Sequence, residues 1–218
     1  AWFMAQFVGV SLDPKITYVK NASPSKSNEI EAITGATISS AAVVRILNTE
    51  IKRVKAIVLN DMPVKKEPEM EDILSVLPEN VSIEKIDNIA RNIYRAKKQS
   101  KTLAYAIEVI GSGFESELDI LVGVSADFKK IIAVKILAQD ETKGWGTKIE
   151  NDPSNKENPA WFIEQFAGVE LSPAIAYVNA KPSKANEIQA ITGATISSAA
   201  VVDILNNGIK EAKALLNK

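Results

Sequence analysis

The stretch ITGATISSAAVV occurs twice in the chain, at residues 33–44 and again at residues 191–202, with every letter identical. In each copy a glycine and an alanine are followed by a threonine and two serines, and apolar residues then continue at helical spacing. Glycine permits a tight turn, and a hydroxyl side chain is preferred where a helix begins. The stretch therefore predicts, in both copies, a turn that leads directly into a helix.

The likeness between the two parts of the chain extends beyond this stretch. AWFMAQFVGVSLDPKITYVKNASPSK at the start of the chain matches AWFIEQFAGVELSPAIAYVNAKPSK from Ala160, with one extra residue in the first copy. The copies then stay in register as far as KRVKAI and KEAKAL, near the ends of their predicted helices. An internal likeness of this length indicates a duplicated structural unit.

A different pattern precedes the second copy. Over residues 103–137, apolar residues alternate with smaller or polar ones in three runs, which GSGFES and SADFKK separate. Alternation with a period of two predicts strands, here an antiparallel meander. The glycine-punctuated loop ETKGWGTKI follows at residues 141–149. We therefore expect residues 101–218 to form the complete unit and residues 1–59 to be the C-terminal half of another one.

Three further elements are predicted within the second copy. Asn158 and Pro159 are typical of a helix start, and Gly168 is typical of its end, so NPAWFIEQFAG predicts a short helix. Residues 175–178 predict a strand, and residues 196–216 predict a long amphipathic helix. Together with the meander, these elements predict an α+β fold in which a small antiparallel sheet is packed with helices.

Residues 60–100 are expected to be a linker followed by helices. NDMPVKKEPEMED at residues 60–72 is typical of a linker, and helical stretches are predicted at about 71–76 and 82–98. In the second of these, Ser82 is the expected cap of a helix that buries Ile83, Ile86, Ala90 and Ile93.

The half-unit at residues 1–59, without strands of its own meander, is expected to bury too little apolar surface to fold well alone. It then needs a sheet from preceding sequence, from elsewhere in the molecule or from a second chain. The last arrangement is a domain-swapped oligomer.

Composition and charge exclude several classes of function. The chain has no cysteine and no histidine, which excludes thiol nucleophiles, iron–sulfur clusters, the usual zinc sites and the Ser-His-Asp triad. The formal net charge is −1 and the lysines form short groups, so we expect no nucleic-acid partner. No apolar run in this segment reaches membrane-spanning length and none has the pattern of a leader, so we expect any membrane anchor to lie outside this segment.

The repeated stretch also has a chemical interpretation. Gly35 and Gly193 allow a turn with no side chain in the way of a ligand, and Thr37 and Thr195 then stand where each helix begins. The unpaired N–H groups and the positive end of the helix dipole favour an anion such as a phosphate there. Ser39, Ser40, Ser197 and Ser198 are further hydroxyl donors or caps. Ordinary helix capping by these hydroxyls is the alternative.

The second unit resembles a known family in several places. TGAT followed by Ile-Ser-Ser is similar to the flavinylation motif of the FMN-binding domain in the G subunit of Rnf electron-transport complexes and the C subunit of sodium-pumping NADH:quinone reductases. LDILVGVS and IIAVKILA match the family's strand pair, ETKGWGTKI its ETPGLG loop and AWFIEQFAG the helix that follows. The resemblance covers residues 101–218 in the family's order, so the fold it implies is an FMN-binding domain preceded by half of a second copy.

This resemblance implies a cofactor and its site. In the family a flavin transferase esterifies the phosphate of FMN to the last threonine of the motif, which is Thr195 here and Thr37 in the half-unit. The cofactor-binding residues that the resemblance implies around these two threonines are Thr192, Gly193, Ala194, Ser198, Thr34, Gly35 and Ala36. The loop residues that it places near the isoalloxazine ring are Glu141, Thr142, Gly144, Trp145 and Gly146. Glu141 is expected to hydrogen-bond either the flavin or a loop amide, and Trp145 either to stack on the ring or to fill an edge of the core.

The chain departs from the family pattern at four positions. An acidic residue before the motif is present as Glu31 in the first copy and replaced by Gln189 in the second. The loop has Lys143 for the usual proline and Trp145 for the usual leucine, and Gln139 stands where a histidine often precedes the loop. The departure at Gln189 bears on how efficiently Thr195 is modified.

The function that the resemblance implies is electron transfer through covalent FMN, between redox partner proteins. It also implies an extracytoplasmic location at the cell envelope, in association with the membrane. One alternative is a non-redox scaffold in which the threonines only cap helices. Another is the flavin domain of a larger reductase whose catalytic domain is not in this segment.

Overall fold

The computed structural model describes residues 2–58, 67–86 and 91–216. The chain divides into two compact units, Ala1–Lys65 and Lys66–Lys218. Residues 67–86 and 91–100, which the sequence assigned to the linker region, thus belong to the second unit.

The first unit consists of two helices and a small sheet. Helix α1 spans Trp2–Ala5, strands β1 and β2 span Thr17–Val19 and Glu29–Glu31, and helix α2 spans Thr37–Val58. The two strands are parallel. Ile16, Ile30 and Val44 form a small buried cluster between the sheet and α2. The described part of this unit, residues 2–58, contains no meander.

The second unit is built on a five-stranded antiparallel sheet. Helix α3 (Met70–Ser75) comes first, and the strands then follow in chain order, each beside the previous one. Their bounds are Ser82–Lys85 for β3, Ile93–Lys98 for β4, Lys101–Ser112 for β5, Glu117–Ser125 for β6 and Ile131–Ala138 for β7. The predicted meander is confirmed as β5, β6 and β7.

The C-terminal part of this unit repeats the elements of the first unit. A 3-10 helix (Gly146–Ile149) is followed by α4 (Trp161–Glu164), by the parallel strands β8 (Ala176–Val178) and β9 (Glu187–Gln189), and by α5 (Thr195–Leu216). The predicted strand at 175–178 and the predicted helix at 196–216 are confirmed as β8 and α5. The partner strand β9 was missed, because three residues with one buried side chain carry too little periodicity to be recognised.

Both faces of the five-stranded sheet are covered. Leu118, Ile120 and Val122 of β6 lie in the large core under α4 and α5, whereas Leu121 lies in the smaller core under α3. Successive side chains of a strand point to opposite faces, so the alternation in β6 fills two cores at once. The α+β fold predicted from the sequence is confirmed.

The helix predicted at residues 82–98 is wrong, since β3 and β4 occupy the described parts of this segment. Ala90, one of its predicted buried residues, lies outside the described residues. Tyr94 and Ala96 are buried in the core under α3, and Arg95 between them is paired with Tyr105 of β5. The short apolar spacing that resembles a helix is thus overridden by pairing with the edge of the meander.

The helix predicted over residues 158–168 is shorter than expected. Only Trp161–Glu164 is helical, and its N-cap is Ala160 rather than Asn158. Asn158 still holds the helix start, because its carbonyl accepts from Trp161 N and its amide donates to the Glu164 carboxylate. Gly168 was expected at the helix end, but it lies four residues after Glu164, where its φ of +82° forms a left-handed turn.

Candidate functional site

The two copies of the TGAT turn have the same backbone geometry. Gly35 and Gly193 have φ values of +78° and +84°, in the left-handed region that glycine adopts without strain. In each turn the alanine N–H donates to the carbonyl of the isoleucine before the motif, at 2.9 Å. Helix α2 begins at Thr37 and α5 at Thr195. The predicted turn into a helix is therefore confirmed in both copies.

The second serine of each motif closes the turn. The Ser198 hydroxyl accepts a hydrogen bond from Ile191 N (3.0 Å) and donates to Ala194 O (2.9 Å). Ser40 makes the same two bonds, at 3.0 Å each, in the first unit. Both serines are fully buried. These hydroxyls are consumed by capping, which is the role that the sequence left open as the alternative to ligand binding.

The first serine of the motif differs between the copies. Ser197 is buried, and its hydroxyl donates to Glu141 Oε2 over 2.6 Å. Ser39, the equivalent residue in the first unit, is exposed. The identical sequence TISS therefore has different surroundings in the two units, because each unit packs different residues around it.

The last threonine of each motif has a different environment from the serines. Thr37 and Thr195 are partly exposed at the first residue of their helices. Within residues 2–58 and 91–216, no hydrogen bond joins either hydroxyl to another described residue. The amides of residues 195–197 precede the first hydrogen bond of α5, from Ser198 N to Ala194 O. Thr195 thus combines an available hydroxyl with the positive end of a long helix.

Thr34 and Thr192, which precede the glycines, are exposed on the turn surface. The Thr34 hydroxyl donates to Asn21 Oδ1 at 3.3 Å. Ala194 is buried and Ala36 partly buried beneath their turns. The turn residues therefore shape the backbone, and the last threonine of each motif is the one that presents an unused hydroxyl at a helix start.

The loop at residues 139–149 is anchored by the buried side chain of Glu141. Its Oε1 atom accepts from Glu115 N (2.8 Å) and Ser116 N (3.0 Å), in the turn between β5 and β6. Its Oε2 atom accepts from Ser197 in α5. The side chain therefore hydrogen-bonds loop amides, which is one of the two roles that the sequence left open.

The tip of this loop lies on the TGAT turn. The Thr142 carbonyl accepts from Trp145 N and Thr147 N, and Gly144 turns with a φ of +74°. Thr142, Gly144 and Trp145 are exposed, while Gly146 is buried against Glu141. The Trp145 indole is 57% exposed and packs on Gly193, where a β-carbon would lie 2.4 Å from ring atom Cζ3. The five loop residues predicted from the sequence thus divide into an exposed tip and a buried base.

A cleft of about 460 Å³ opens beside Thr192. Its other lining residues are Lys148, Asp152, Ser154, Asn155, Trp161, Gln189, Ala190 and Ile191. Sequence reasoning missed Lys148 and Asp152, because they are ordinary loop residues with no motif spacing. Gln189 enters this lining at the position where the family pattern has an acidic residue.

Asp152 organises one wall of the cleft. Its carboxylate accepts from the Ser154 hydroxyl and amide and from Trp161 Nε1 (3.1 Å), and Lys148 Nζ lies 3.4 Å away. The hydrogen bond from the Ser154 hydroxyl is the main cause that lowers the pKa of Asp152 to about 2, against the opposing effect of burial. Asp152 is therefore ionised at neutral pH and keeps the Trp161 indole in place.

Asp152→Asn is expected to change the acid stability of the protein. A carboxylate with a folded pKa near 2 and an unfolded pKa near 3.9 stabilises the fold above about pH 5, and this contribution is lost as the pH falls towards 2. Between pH 6 and pH 2 the wild type should lose about 1–2 kcal/mol more unfolding free energy than the variant. Urea unfolding at a series of pH values measures this loss. Ser154→Ala removes one of the hydrogen bonds to Asp152, so its loss of unfolding free energy between pH 6 and pH 2 should lie between those of the wild type and Asp152→Asn. Identical pH slopes for wild type and Asp152→Asn would contradict the assignment.

Fold and site together define a class of protein. A long helix crosses an antiparallel sheet, and a glycine turn at its start presents a free threonine hydroxyl beside an exposed indole and a polar cleft. This arrangement is that of a small α+β domain with a candidate site at the start of its long helix. The chain belongs to the FMN-binding domain family, which matches residues 7–52 and 113–210 and so includes both TGAT turns.

Two relatives and one solved structure are similar to the chain. The G subunit of the proton-translocating ferredoxin:NAD(+) oxidoreductase complex of Clostridium ljungdahlii is 34% identical over 125 residues, covering 57% of this chain and 60% of that protein. The G subunit of the Na(+)-translocating ferredoxin:NAD(+) oxidoreductase complex of Acetobacterium woodii is 32% identical over 120 residues, covering 54% and 53%. The chain thus spans between half and two thirds of the length of these relatives. A crystal structure of the C subunit of the Na(+)-translocating NADH-quinone reductase from Parabacteroides distasonis has 23% identity and a TM-score of 0.47, covering 59% of this chain and 63% of that one.

Membrane-spanning helices and metal sites are both absent from the described part of the chain. Among residues 2–58, 67–86 and 91–216, no helix is long and apolar enough to cross a membrane. In the same ranges, no group of three or more acidic side chains is arranged to hold a metal ion.

Proposed function

We propose that the protein carries FMN as a phosphoester of Thr195 and transfers electrons between redox partner proteins. The observation that supports this most strongly is the difference among the hydroxyls of the second motif. The hydroxyls of Ser197 and Ser198 are buried and engaged in hydrogen bonds, whereas the Thr195 hydroxyl is partly exposed at the start of α5. Among the hydroxyls in the first turn of α5, Thr195 is therefore the best acceptor; Thr192 is also exposed but precedes the glycine turn and lies outside the helix.

The energetics of the helix start favour a covalent bond over simple binding. An anion at a helix N-terminus gains about 0.3–2 kcal/mol. Retention of a free cofactor at nanomolar concentration needs about 12 kcal/mol. The first turn of α5 therefore suits the charge of a phosphate but is too weak to hold the cofactor, and an ester to Thr195 removes the loss by dissociation.

The attachment chemistry requires an activated flavin phosphate. A flavin transferase has to supply it as a phosphoanhydride, the linkage present in a flavin dinucleotide. The Thr195 oxygen then bonds to the flavin-bearing phosphorus, the anhydride P–O bond breaks, and the leaving nucleotide carries away that electron pair. The hydroxyl proton passes to a base of the transferase. The exposure of the TGAT turn leaves room for such an enzyme to reach Thr195.

Two features close to the TGAT turn support a flavin on Thr195. The exposed loop tip of Thr142, Gly144 and Trp145 offers a flat indole face beside the turn, and the cleft beside Thr192 offers polar groups. FMN supplies the redox chemistry when bound. The chain's own part is to orient the ring and to hold it near the protein surface, where redox partners can approach.

The same proposal extends to the first unit and to the setting of the protein. Residues 1–59 are proposed to be the C-terminal half of a second repeat, with Thr37 as a second attachment site, because the two TGAT turns share their geometry. The names of the relatives describe subunits of ion-translocating oxidoreductase complexes. We place this chain likewise in a redox complex at the outer face of a membrane, as an electron-transfer component rather than a stand-alone enzyme.

Co-expression with a flavin transferase tests the proposed function. The intact mass should rise by that of FMN less one water for each modified threonine, and the denatured protein band should fluoresce under ultraviolet light. Expression without the transferase is the control and should give the unmodified mass. A protein that stays unmodified with an active transferase present would favour the scaffold alternative, in which both threonines only cap helices.

A further inference from the structure

Glu141 joins three separate segments through one buried carboxylate. Oε1 accepts two amides of the turn between β5 and β6, at Glu115 and Ser116, and Oε2 accepts the Ser197 hydroxyl in the first turn of α5. The side chain is only 3% exposed. Because Glu141 itself begins the loop that carries Trp145, these bonds tie the loop, the sheet and α5 together.

The surrounding backbone is shaped to receive this carboxylate. A β-carbon on Gly113 would lie 2.5 Å from Glu141 Oε1, and one on Gly146 would lie 2.8 Å from Glu141 Cβ and 3.1 Å from Ser197 Oγ. Real β-carbons essentially never lie within 3.0 Å of another atom, so a larger residue at either position requires Glu141 or its neighbours to shift. The site is therefore built for Glu141 from both sides.

We propose that Glu141 is a positioning residue for the attachment of flavin to Thr195 and that it acts through Ser197. This inference rests on the proposed function. Ser197 lies two residues after Thr195 in the same helical turn, so its bond to Glu141 fixes the orientation of that turn relative to the Trp145 loop. A turn held in one orientation presents the Thr195 hydroxyl to the transferase in one geometry. Less conformational entropy is then lost when the transition state forms.

The first unit provides a matched comparison inside the same molecule. Ser39 has the same sequence neighbours as Ser197 but is exposed. Removing its hydroxyl should therefore leave modification of Thr37 unchanged, whereas removing the Ser197 hydroxyl should slow modification of Thr195.

The test compares Ser197→Ala, Ser197→Thr and Ser39→Ala in the full chain with purified transferase. Peptide mass spectrometry follows flavin on Thr195 and Thr37 separately with time. Loss of a hydrogen bond to a charged group should slow modification of Thr195 about tenfold in Ser197→Ala. Ser197→Thr keeps the hydroxyl and should restore most of the rate. Equal rates for wild type and Ser197→Ala would overturn the proposal.

A second measurement needs no flavin and separates this inference from the proposed function. In unmodified protein, hydrogen exchange of residues 139–146 and of the first turn of α5 should become faster in Ser197→Ala and in Glu141→Gln, while exchange in the middle of β6 stays the same. Unchanged protection in both variants would overturn the positioning role whatever the flavin result. Faster exchange together with an unmodified wild type would instead refute only the attachment of flavin.

Discussion

Thr195→Ala is expected to abolish covalent flavin on the peptide that contains residues 191–202. The reason is that Thr195 alone among the last threonine and the two serines of this motif combines partial exposure with a hydroxyl that bonds no other described residue. Ser197 and Ser198 cannot take over, because their hydroxyls are buried and used by Glu141 and by the turn. Peptide mass spectrometry after co-expression with the transferase measures the loss.

Two variants control this result. Thr37→Ala should remove flavin only from the first motif and leave Thr195 modified, which also shows whether both turns are used. Thr195→Ser keeps a hydroxyl at the start of α5 and should retain modification. Flavin on Ser197 or Ser198 in Thr195→Ala would show that burial does not select the acceptor, and full modification of that peptide would refute the assignment of Thr195.

Gly208→Glu is expected to destabilise the second unit strongly. Gly208 is buried where α5 crosses β5, and a β-carbon there would lie 2.2 Å from Val109 Cγ1. The substitution adds both a steric clash and a buried charge, so it should lower the unfolding free energy by about 4 kcal/mol or more. Urea unfolding followed by tryptophan fluorescence and circular dichroism measures the change.

The first unit supplies the control for this prediction. Glu50 stands in α2 at the position of Gly208, and it is exposed. Glu50→Gly introduces no clash and no buried charge; the helix propensity of glycine costs about 1 kcal/mol, and the first unit should lose much less stability than the second unit loses in Gly208→Glu. A small effect of Gly208→Glu would show that α5 can move away from β5.

Elements with strong local patterns were predicted correctly from the sequence. β5, β6 and β7 alternate regularly, and α5 carries a continuous apolar face, so local periodicity was sufficient. β3 and β4 were mistaken for a helix because Ile83, Ile86 and Ile93 are spaced as on one helix face. In the structure β4 instead forms a hairpin with β5, and β3 pairs with β4. The spacing of apolar residues within a segment does not show whether a neighbouring strand is available to pair with it.

The candidate site divides in the same way. The turn geometry of Gly193 and the helix start at Thr195 were predicted because glycine, threonine and serine have intrinsic preferences at such places. The cleft with Asp152 and Lys148 was missed, since it forms only when the loop after β7 folds beside α4 and β9. A sequence predicts that a polar side chain is buried only when the residues that pack around it in the fold are known.

The sequence by itself determined the internal likeness of the two segments, the two TGAT turns, the meander and the family, because each depends on residues that are close along the chain or on a block of similar letters. Only the tertiary structure decided which hydroxyl in the first turn of α5 remains available. Ser197 is removed from the surface by Glu141, and Gly208 is required by Val109, through contacts between residues far apart in the chain. Two identical motifs can therefore differ in chemistry, because burial and hydrogen bonding belong to the packed unit and not to the motif.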